Sequence, residues 1–237
     1  MSLKKIFFKS KFTYKVYLYY NLYIRHKGFI KRERYSQWGE DQFIAEYFKD
    51  TDIGIYLDIG CFNPFMYSNT CLLHNKGWSG INIDINPTSI DLFKIARPKD
   101  FNICTTINNE KKSFEIFFDD PFSPVNTLDK NFFNKLGKSF SAKKNIVIES
   151  KSIEEVINLS GVKKHIDFIN IDVEGSDYKI LSQININKIK PKLISIETHN
   201  VDGSESENFK YINDYLSKNS YTIFNRVGPT TLFDRKN

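Results

Sequence analysis

The stretch IYLDIGCFNP, residues 55–64, decides the fold of this chain. Its first five residues form a short apolar run that is typical of a buried strand, and Gly60 with the following turn residues ends it. Further apolar runs, each with an acid at its end, occur at GINIDINP (80–87), IDFINIDVEG (166–175) and LISIETHN (193–200). Segments of helical pattern separate these runs. The sequence therefore predicts an α/β fold, with a mostly parallel twisted sheet and helices on both faces.

The remaining elements follow from the same patterns. Further strands are predicted at 102–107 and 145–149, with 113–118 as the hairpin partner of 102–107, and a closing antiparallel pair at 221–225 and 230–233. Helices are predicted at 37–48, 68–76, 88–96, 152–159 and 205–218, with another that begins at Ser176. The stretch 121–144 has no clear period and is a candidate lid or insertion.

Charge divides the chain near residue 34. Residues 1–34 contain ten Lys or Arg and one acid, a net charge of +9, whereas the whole chain carries +6, so residues 35–237 carry −3. The hydrophobic content of 41% is enough for a packed core, which argues against general disorder. We therefore predict a basic N-terminal arm, residues 1–34, before one domain of residues 35–237.

The arm has the pattern of a helix with one aromatic face. Large apolar residues recur at spacings of three and four at Phe8, Phe12, Val16, Tyr19, Tyr20 and Tyr23. One interpretation is an interfacial helix on an anionic membrane or a lipid-linked acceptor. The other is a helix that packs this stripe on the domain or on a second subunit. The sequence leaves both open.

Cysteine and hydropathy patterns bear on the compartment. The three cysteines, Cys61, Cys71 and Cys104, are odd in number and have no CxxC spacing, so they indicate neither a disulfide framework nor a zinc site. No apolar run has the length of a signal peptide core or a membrane span. We expect a soluble cytoplasmic protein, and the arm leaves peripheral contact with the inner face of the membrane open.

Acids at the strand ends point to a ligand site, because ligands of doubly wound sheets bind outside the carboxyl ends of the strands. Asp84 follows Asp58 by one β-loop-α-β unit, where an acid accepts hydrogen bonds from ribose hydroxyls. The loop after Gly60 lacks the further glycines that a pyrophosphate needs, which disfavours NAD and FAD. A nucleoside without phosphates, such as S-adenosylmethionine, fits better. Taken singly, each acid is equally explained as a helix cap.

Several uncommon strings together resemble the FkbM-type methyltransferases. They occur in order over residues 35–235, and the basic arm lies outside them. The strings are YSQWGED (35–41), YLDIG (56–60), Asn63-Pro64, Ser68-Asn69-Thr70, GWSGINID (77–84), Asn86-Pro87 and INIDVEG (169–175).

This resemblance implies a Rossmann-like class I methyltransferase fold and S-adenosylmethionine as the methyl donor. Asp58 and Gly60 would form the loop at the methionine side, and Asp84 would hold the ribose. Gln37, Asn69 and Thr70 would contact the amino-acid end. Many family members are read as O-methyltransferases. The resemblance therefore implies a hydroxyl acceptor on a sugar, nucleotide sugar or glycan in surface polysaccharide or natural-product biosynthesis. The sequence does not decide whether a nucleotide or a lipid carries the acceptor. The sequence CFNP, residues 61–64, departs from the glycine-rich loop that is usual in the wider class.

A hydroxyl acceptor needs a base or a metal to become a good nucleophile. Asp172, Glu174 and His199 lie at the predicted ligand edge and are the candidates for a base. His199 has the suitable ordinary pKa, although a histidine in a surface loop explains it equally well. If a divalent metal is used, Asp172, Glu197 and His199 offer ligands suited to it.

Two other function classes remain open. The basic aromatic arm suits phosphate and base contacts, which would make the chain an RNA-binding methyltransferase. The net negative charge of residues 35–237 makes a nucleic-acid partner the weaker expectation. The third class is a scaffold that has the fold without catalysis. A homo-oligomer is compatible with all three.

Overall fold

The computed structural model describes residues 10–118, 120–124, 126–135, 144–200 and 202–236. The strands of these residues are β1 (Ile55–Ile59), β2 (Ser79–Asp84), β3 (Phe101–Cys104), β4 (Thr106–Ile107), β5 (Ser113–Phe118), β6 (Lys144–Lys151), β7 (Phe168–Ile171), β8 (Leu193–Glu197), β9 (Tyr221–Val227) and β10 (Thr230–Arg235). The α-helices are α1 (Lys11–Tyr20), α2 (Glu40–Tyr47), α3 (Cys71–Asn75), α4 (Pro87–Ala96), α5 (Lys130–Lys135), α6 (Ile153–Ser160), α7 (Asp177–Leu181), α8 (Ile186–Ile189) and α9 (Phe209–Lys218).

Within the described residues, seven strands form the main sheet in the order β3-β2-β1-β7-β8-β10-β9. The pairings from β3 to β8 are all parallel, and β10 pairs antiparallel with both β8 and β9. The predicted α/β fold and the closing antiparallel pair are therefore confirmed. Strand order reverses between β1 and β7, because the chain builds outward from β1 to β3 before it returns to the other side.

Alternating strand residues build separate cores on the two faces of the sheet. Leu57 and Ile59 of β1 belong to the larger cluster, which includes apolar residues of α6, α7, α8 and α9. Tyr56 points to the other face and packs with Leu73 of α3 and Trp78. This alternation follows from the two-residue period of a strand, and it places helices on both faces as predicted.

The predicted hairpin of 102–107 with 113–118 is wrong. The chain leaves the main sheet at Thr105, whose backbone N–H donates to the Asp84 carbonyl and whose hydroxyl donates to the Glu149 carbonyl. β4 then pairs parallel with β6, and β5 pairs antiparallel with β6, in a separate three-stranded sheet. The apolar pattern of a strand does not specify its partner, and here the partner lies across the 121–144 stretch.

The predicted helix 68–76 is shorter than its pattern suggested. The observed helix α3 begins at Cys71. Asn69 and Thr70 lie before it, with their side chains bonded to Asn170 and Asp58 in the interior. Side-chain hydrogen bonds of this kind compete with helical backbone bonds, which accounts for the late start.

The arm packs on the domain, mainly by a face other than the predicted stripe. Leu18 and Leu22 are buried against Leu92 of α4, and the Tyr14 hydroxyl donates to Asp91. The predicted stripe is instead exposed at Phe12, Val16, Tyr19, Tyr20 and Tyr23, while Phe8 lies outside the described residues. Of the described stripe residues, Tyr23 contacts a ring of the domain, that of Phe65, while the stripe as a whole is exposed and does not form the packed face. A neighbouring face of the same helix has an equally regular pattern and makes the contact.

A π-helix, Asn21–Arg25, continues α1, and a 3₁₀ turn at Lys27–Phe29 follows it. No helix of the described residues is long and apolar enough to cross a membrane.

Candidate functional site

A cleft opens at the carboxyl ends of the central strands, where strand order reverses. Its empty space, including the open mouth, is about 880 Å³. The loops after β1, β2 and β7 supply three walls, and residues 105–107 with Ser123, Pro124, Asn126 and Leu128 supply a fourth. The polar residues that line it include Gln37, Asp84, Asn86, Ser89, Thr105, Ser123, Asn126, Asp172, Glu174 and Ser176.

Asp84 lines this cleft from the end of β2. Its two carboxylate oxygens accept hydrogen bonds from the backbone N–H groups of Phe62, at 2.8 Å, and Asn86, at 2.7 Å. Burial raises the pKa of Asp84 to about 6, although the two N–H donors act in the opposite direction. The carboxylate is thus fixed in orientation and retains lone pairs for ligand hydroxyls.

Gly60 is required by a close contact between two loops. Its φ angle is +83°, and a Cβ at this position would lie 1.7 Å from the carbonyl oxygen of Asp172. The neighbouring backbone is joined by a hydrogen bond from the Asp172 N–H to the Ile59 carbonyl, at 2.9 Å. The glycine therefore lets the β1 and β7 loops meet at the floor of the cleft.

Asp58 does not line the cleft but lies in a buried polar network beneath it. Its carboxylate accepts hydrogen bonds from the Thr70 hydroxyl, at 2.7 Å, and from the Asn170 amide, at 2.9 Å. Asn69 donates to the same Asn170 side chain. Burial raises the pKa of Asp58, and the bonds from Thr70 and Asn170 counter that rise. The network thus brings together Asp58, Asn69 and Thr70, none of which lines the cleft. Asp58 was expected in the loop at the methionine side, and Asn69 and Thr70 were expected to contact the amino-acid end.

Arg97 completes this network and was not identified from the sequence. Its side chain is 1% exposed and donates to the Thr70 hydroxyl, the Ser68 hydroxyl and the Pro64 carbonyl. It thereby ties the 64–70 loop to the end of α4. The sequence has no periodic signal at Arg97. A charged residue just before Pro98 is also not expected in the core, so the sequence did not indicate its burial. In the sequence, Asn170 was marked only as part of the string INIDVEG, residues 169–175, at the end of a predicted strand.

In the motif YSQWGED, residues 35–41, some side chains stabilise a turn and one lines the cleft. Asp41 accepts hydrogen bonds from the Tyr35 N–H and the Ser36 hydroxyl, and Ser36 accepts one from the Gly39 N–H. These bonds fix the turn before α2. Gln37, in the middle of the turn, lines the cleft.

Four carboxyl groups act on one another beyond β7 and β8. Burial raises the pKa of Asp172 well above its ordinary value, and the charges of Glu197, Glu174 and Asp177 add to the rise. Burial and the Asp177 charge raise the pKa of Glu174 to about 7, and burial with the Asp177 and Glu174 charges raises that of Glu197 to about 9. Burial alone raises the pKa of Asp177 to about 6, against the backbone hydrogen bonds that it accepts. Asp172 and Glu174 line the cleft. These carboxyl groups therefore resist ionising together, and a positively charged ligand at this sheet edge would favour their ionised forms.

Backbone strain is concentrated at the cleft. Among the described residues, the non-glycine residues with positive φ are Phe62, Tyr67, Glu174, Lys190 and Ser220, and the first three line the cleft. Such a conformation costs about 1–3 kcal/mol and persists where surrounding contacts enforce it. At Glu174, whose φ is 52°, the carbonyl accepts a hydrogen bond from the Thr127 hydroxyl at 3.0 Å.

Residues of the predicted lid or insertion reach the cleft. Ser123, Pro124, Asn126 and Leu128 line it, and Thr127 pairs with Phe117 of β5. Residues 136–143 of the stretch lie outside the described residues.

His199 does not reach the lining of the cleft. It is 9% exposed, packs against the Phe209 ring, and its Nδ1 lies 2.7 Å from the Thr198 hydroxyl. Burial lowers its pKa, and the Arg226 charge adds to that effect. Within the part of the chain that the structure describes, no three His, Cys, Asp or Glu side chains are grouped to hold a metal ion. Asp172, Glu197 and His199 are therefore not brought together as a ligand set.

These features define an α/β protein with an acidic cleft at the switch point of its sheet. The family model described as Methyltransferase FkbM domain matches residues 52–223. The chain belongs to the FkbM methyltransferase family, which confirms the resemblance seen in the sequence, and it is a methyltransferase. No curated protein and no solved structure gave a match to the chain.

Proposed function

We propose that the protein is an S-adenosylmethionine-dependent O-methyltransferase that acts on a hydroxyl of a sugar, nucleotide sugar or glycan in surface polysaccharide or natural-product biosynthesis. The observation that carries the proposal is the chemistry of the cleft. Asp84, Asp172 and Glu174 line it, and no Lys, Arg or His is found among its described lining residues. Such a site disfavours phosphates and favours a nucleoside that bears net positive charge, as S-adenosylmethionine does.

The order of the strands supports the Rossmann-like part of the proposal. From β3 to β8 the order matches the 3-2-1-4-5 arrangement of doubly wound folds that bind nucleosides at the switch point. The cleft lies at that point. The antiparallel β10 then distinguishes this sheet from the all-parallel dinucleotide-binding arrangement.

The lining residues fit the cofactor in their donor and acceptor types. Asp84 would accept both ribose hydroxyls, and Gln37 would bind the amino-acid end. Asp58, Asn69 and Thr70 would act from behind, by holding the loop on which Gly60 lies. When bound, S-adenosylmethionine supplies an electrophilic methyl group on a sulfonium.

Glu174 is our proposed general base. It lines the cleft, and its pKa of about 7 lets the carboxylate take a proton from a hydroxyl near neutral pH. Asp172 is the alternative from the same wall. We rank His199 below both, because its ring packs on Phe209 away from the cleft lining.

The direct test of the reaction is mass spectrometry of candidate nucleotide sugars and glycans after incubation with S-adenosylmethionine. Methyl transfer to oxygen adds about 14 Da per turnover, the mass of a CH₂ group, and it should require the hydroxyl acceptor. Methylation of co-purified RNA would instead favour the RNA-binding alternative. In that case the affinity of the protein for RNA should fall steeply as the salt concentration rises. A chain that binds no S-adenosylhomocysteine would be a scaffold without catalysis.

We further propose a cytoplasmic enzyme that contacts the inner face of the membrane through its arm. Phe12 is 78% exposed and Ile24 is 61% exposed on one side of the arm, beside the exposed Lys11 and Lys15. Apolar side chains flanked by lysines are the pattern of a helix that lies on anionic lipid.

Flotation with vesicles tests this contact. The protein should bind vesicles of phosphatidylglycerol and phosphatidylcholine and not vesicles of phosphatidylcholine alone. Phe12→Ser with Ile24→Ser should abolish binding, while Ile53→Ser, at another exposed apolar residue, should preserve it. A dimer in solution that the double variant dissociates, without lipid binding, would assign the face to a second copy of the chain.

A further inference from the structure

A second cavity adjoins the cleft, at the junction between the arm and the domain. Its empty space, including the mouth, is about 740 Å³. The two cavities share Phe62, Ser89 and Ser123 as lining residues. A molecule in the second cavity would therefore lie next to the site that we propose for the methyl donor.

The arm supplies one wall of this cavity, through its π-helix. Asn21, Arg25 and His26 lie in the lining. The π-turn is closed by a hydrogen bond from the His26 N–H to the Asn21 carbonyl, at 3.2 Å. π-Turns within helices are rare and occur frequently at functional sites.

Asn21 is an unexplained buried donor in this wall. Its side chain is 3% exposed, and the amide nitrogen Nδ2 has no hydrogen-bond partner among the residues that the structure describes. A buried donor without a partner costs stability, so its presence in a cavity wall indicates a ligand that satisfies it.

Arg25 gives the cavity a positive charge. It is exposed, and no carboxylate of the described residues pairs with it. Burial and the Arg25 charge lower the pKa of His26, so Arg25 is the cation that this wall offers at neutral pH. On the domain side, Asp120 accepts a hydrogen bond from the Phe122 N–H, and an acid there suits hydroxyl groups.

We infer that this cavity binds the methyl acceptor, and that the acceptor is a polyhydroxylated molecule with an anionic group held by Arg25 and Asn21. The inference rests on the proposed function, because it assigns the acceptor side of the same reaction. It also gives the arm a role in substrate binding. A phosphate and a carboxylate share the required chemistry, so the experiment has an arm for each.

The experiment measures binding of glucose 1-phosphate, glucuronate and uncharged glucose by calorimetry at fixed ionic strength. At least one of the two anionic sugars should bind about tenfold more tightly than glucose, as expected for one charge-assisted contact. Whichever of the two binds more tightly identifies the phosphate or the carboxylate as the anionic group. Arg25→Gln should remove the difference from glucose. Lys27→Gln is the matched control. It also removes one positive charge, but Lys27 lies two residues from Arg25 and does not line the cavity.

Asn21→Leu separates binding from folding. The variant should weaken binding of the preferred anionic sugar while its melting temperature stays equal or rises, because the unpartnered amide is removed. A lower melting temperature with unchanged sugar binding would make Asn21 structural and contradict the inference. So would equal affinity for all three sugars, no sugar binding, or equal losses in Arg25→Gln and Lys27→Gln.

S-adenosylhomocysteine binding, measured on the same samples, separates this inference from the proposed function. Binding of S-adenosylhomocysteine without any preference for anionic sugars refutes the acceptor site alone. Absence of S-adenosylhomocysteine binding refutes the proposed function, and with it the assignment of the sugar as acceptor.

Discussion

Replacing Gly60 with alanine tests whether the contact between the β1 and β7 loops builds the cleft. An alanine at the observed φ of +83° is strained, at a cost of about 1–2 kcal/mol. Its Cβ would also lie 1.7 Å from the Asp172 carbonyl oxygen, so that loop must move by more than an ångström. The movement breaks the bond from the Asp172 N–H to the Ile59 carbonyl, which adds about 1 kcal/mol, and it disturbs the packing around it. We expect a total loss of about 3–5 kcal/mol.

Gly77→Ala provides the matched control for this prediction. Gly77 also has positive φ, at +100°, but a Cβ there would meet no atom of the described part of the chain within 4 Å. This variant therefore carries the backbone strain without the clash, and it should lose about 1–2 kcal/mol. Urea unfolding gives both values, and calorimetry with S-adenosylhomocysteine should show weaker binding for Gly60→Ala alone. Equal losses of stability in the two variants would refute the proposed role of the contact.

Three further predictions concern the acids and the buried arginine. Glu174→Gln should lower turnover by about 10²–10⁴ with unchanged affinity for S-adenosylhomocysteine, and full turnover on the true acceptor would exclude Glu174 as the base. The raised pKa of Glu197, about 9, means that its ionisation destabilises the folded state, so thermal melts should show stability falling from pH 6 to pH 9. Glu197→Gln should flatten that fall and gain about 1–3 kcal/mol at pH 9, whereas an unchanged profile would contradict the raised pKa. Arg97→Met should cost about 3–5 kcal/mol in urea unfolding, because it removes the bonds to Thr70, Ser68 and Pro64 and the positive charge that favours the ionised form of the buried Asp58, and a loss below 1 kcal/mol would contradict this.

The central sheet could be predicted because its strands carry their own local signals. Apolar runs such as IYLDI and FINI are short, buried and followed by turn residues, so both the strand positions and the sheet edge at which the cleft lies follow from the sequence. Asp84 and Glu174 were placed at that edge for the same reason, and both line the cleft.

Such local signals do not specify which strands pair over long distances in the chain or which way a side chain points. The strand Ser113–Phe118 has a clear pattern, but its partner β6 follows the 121–144 stretch, which has no clear pattern. No local signal therefore specifies this pairing. The helix of the arm has two apolar faces of similar regularity, and the one that contains Leu18 and Leu22 packs on Leu92 of α4. His199 follows a strand end as Glu174 does, yet its ring turns toward Phe209.

Calorimetry with S-adenosylhomocysteine is the most direct test of the central claim, that the acidic cleft binds the methyl donor through Asp84. The native protein should bind the compound, and Asp84→Ala should weaken binding by about 1–3 kcal/mol, because ribose hydroxyls lose a charged acceptor. Asp52→Ala, which removes an exposed acid outside the cleft lining, should bind as the native protein does. A native protein that gives no binding heat, or an Asp84→Ala variant with native affinity, would contradict the account.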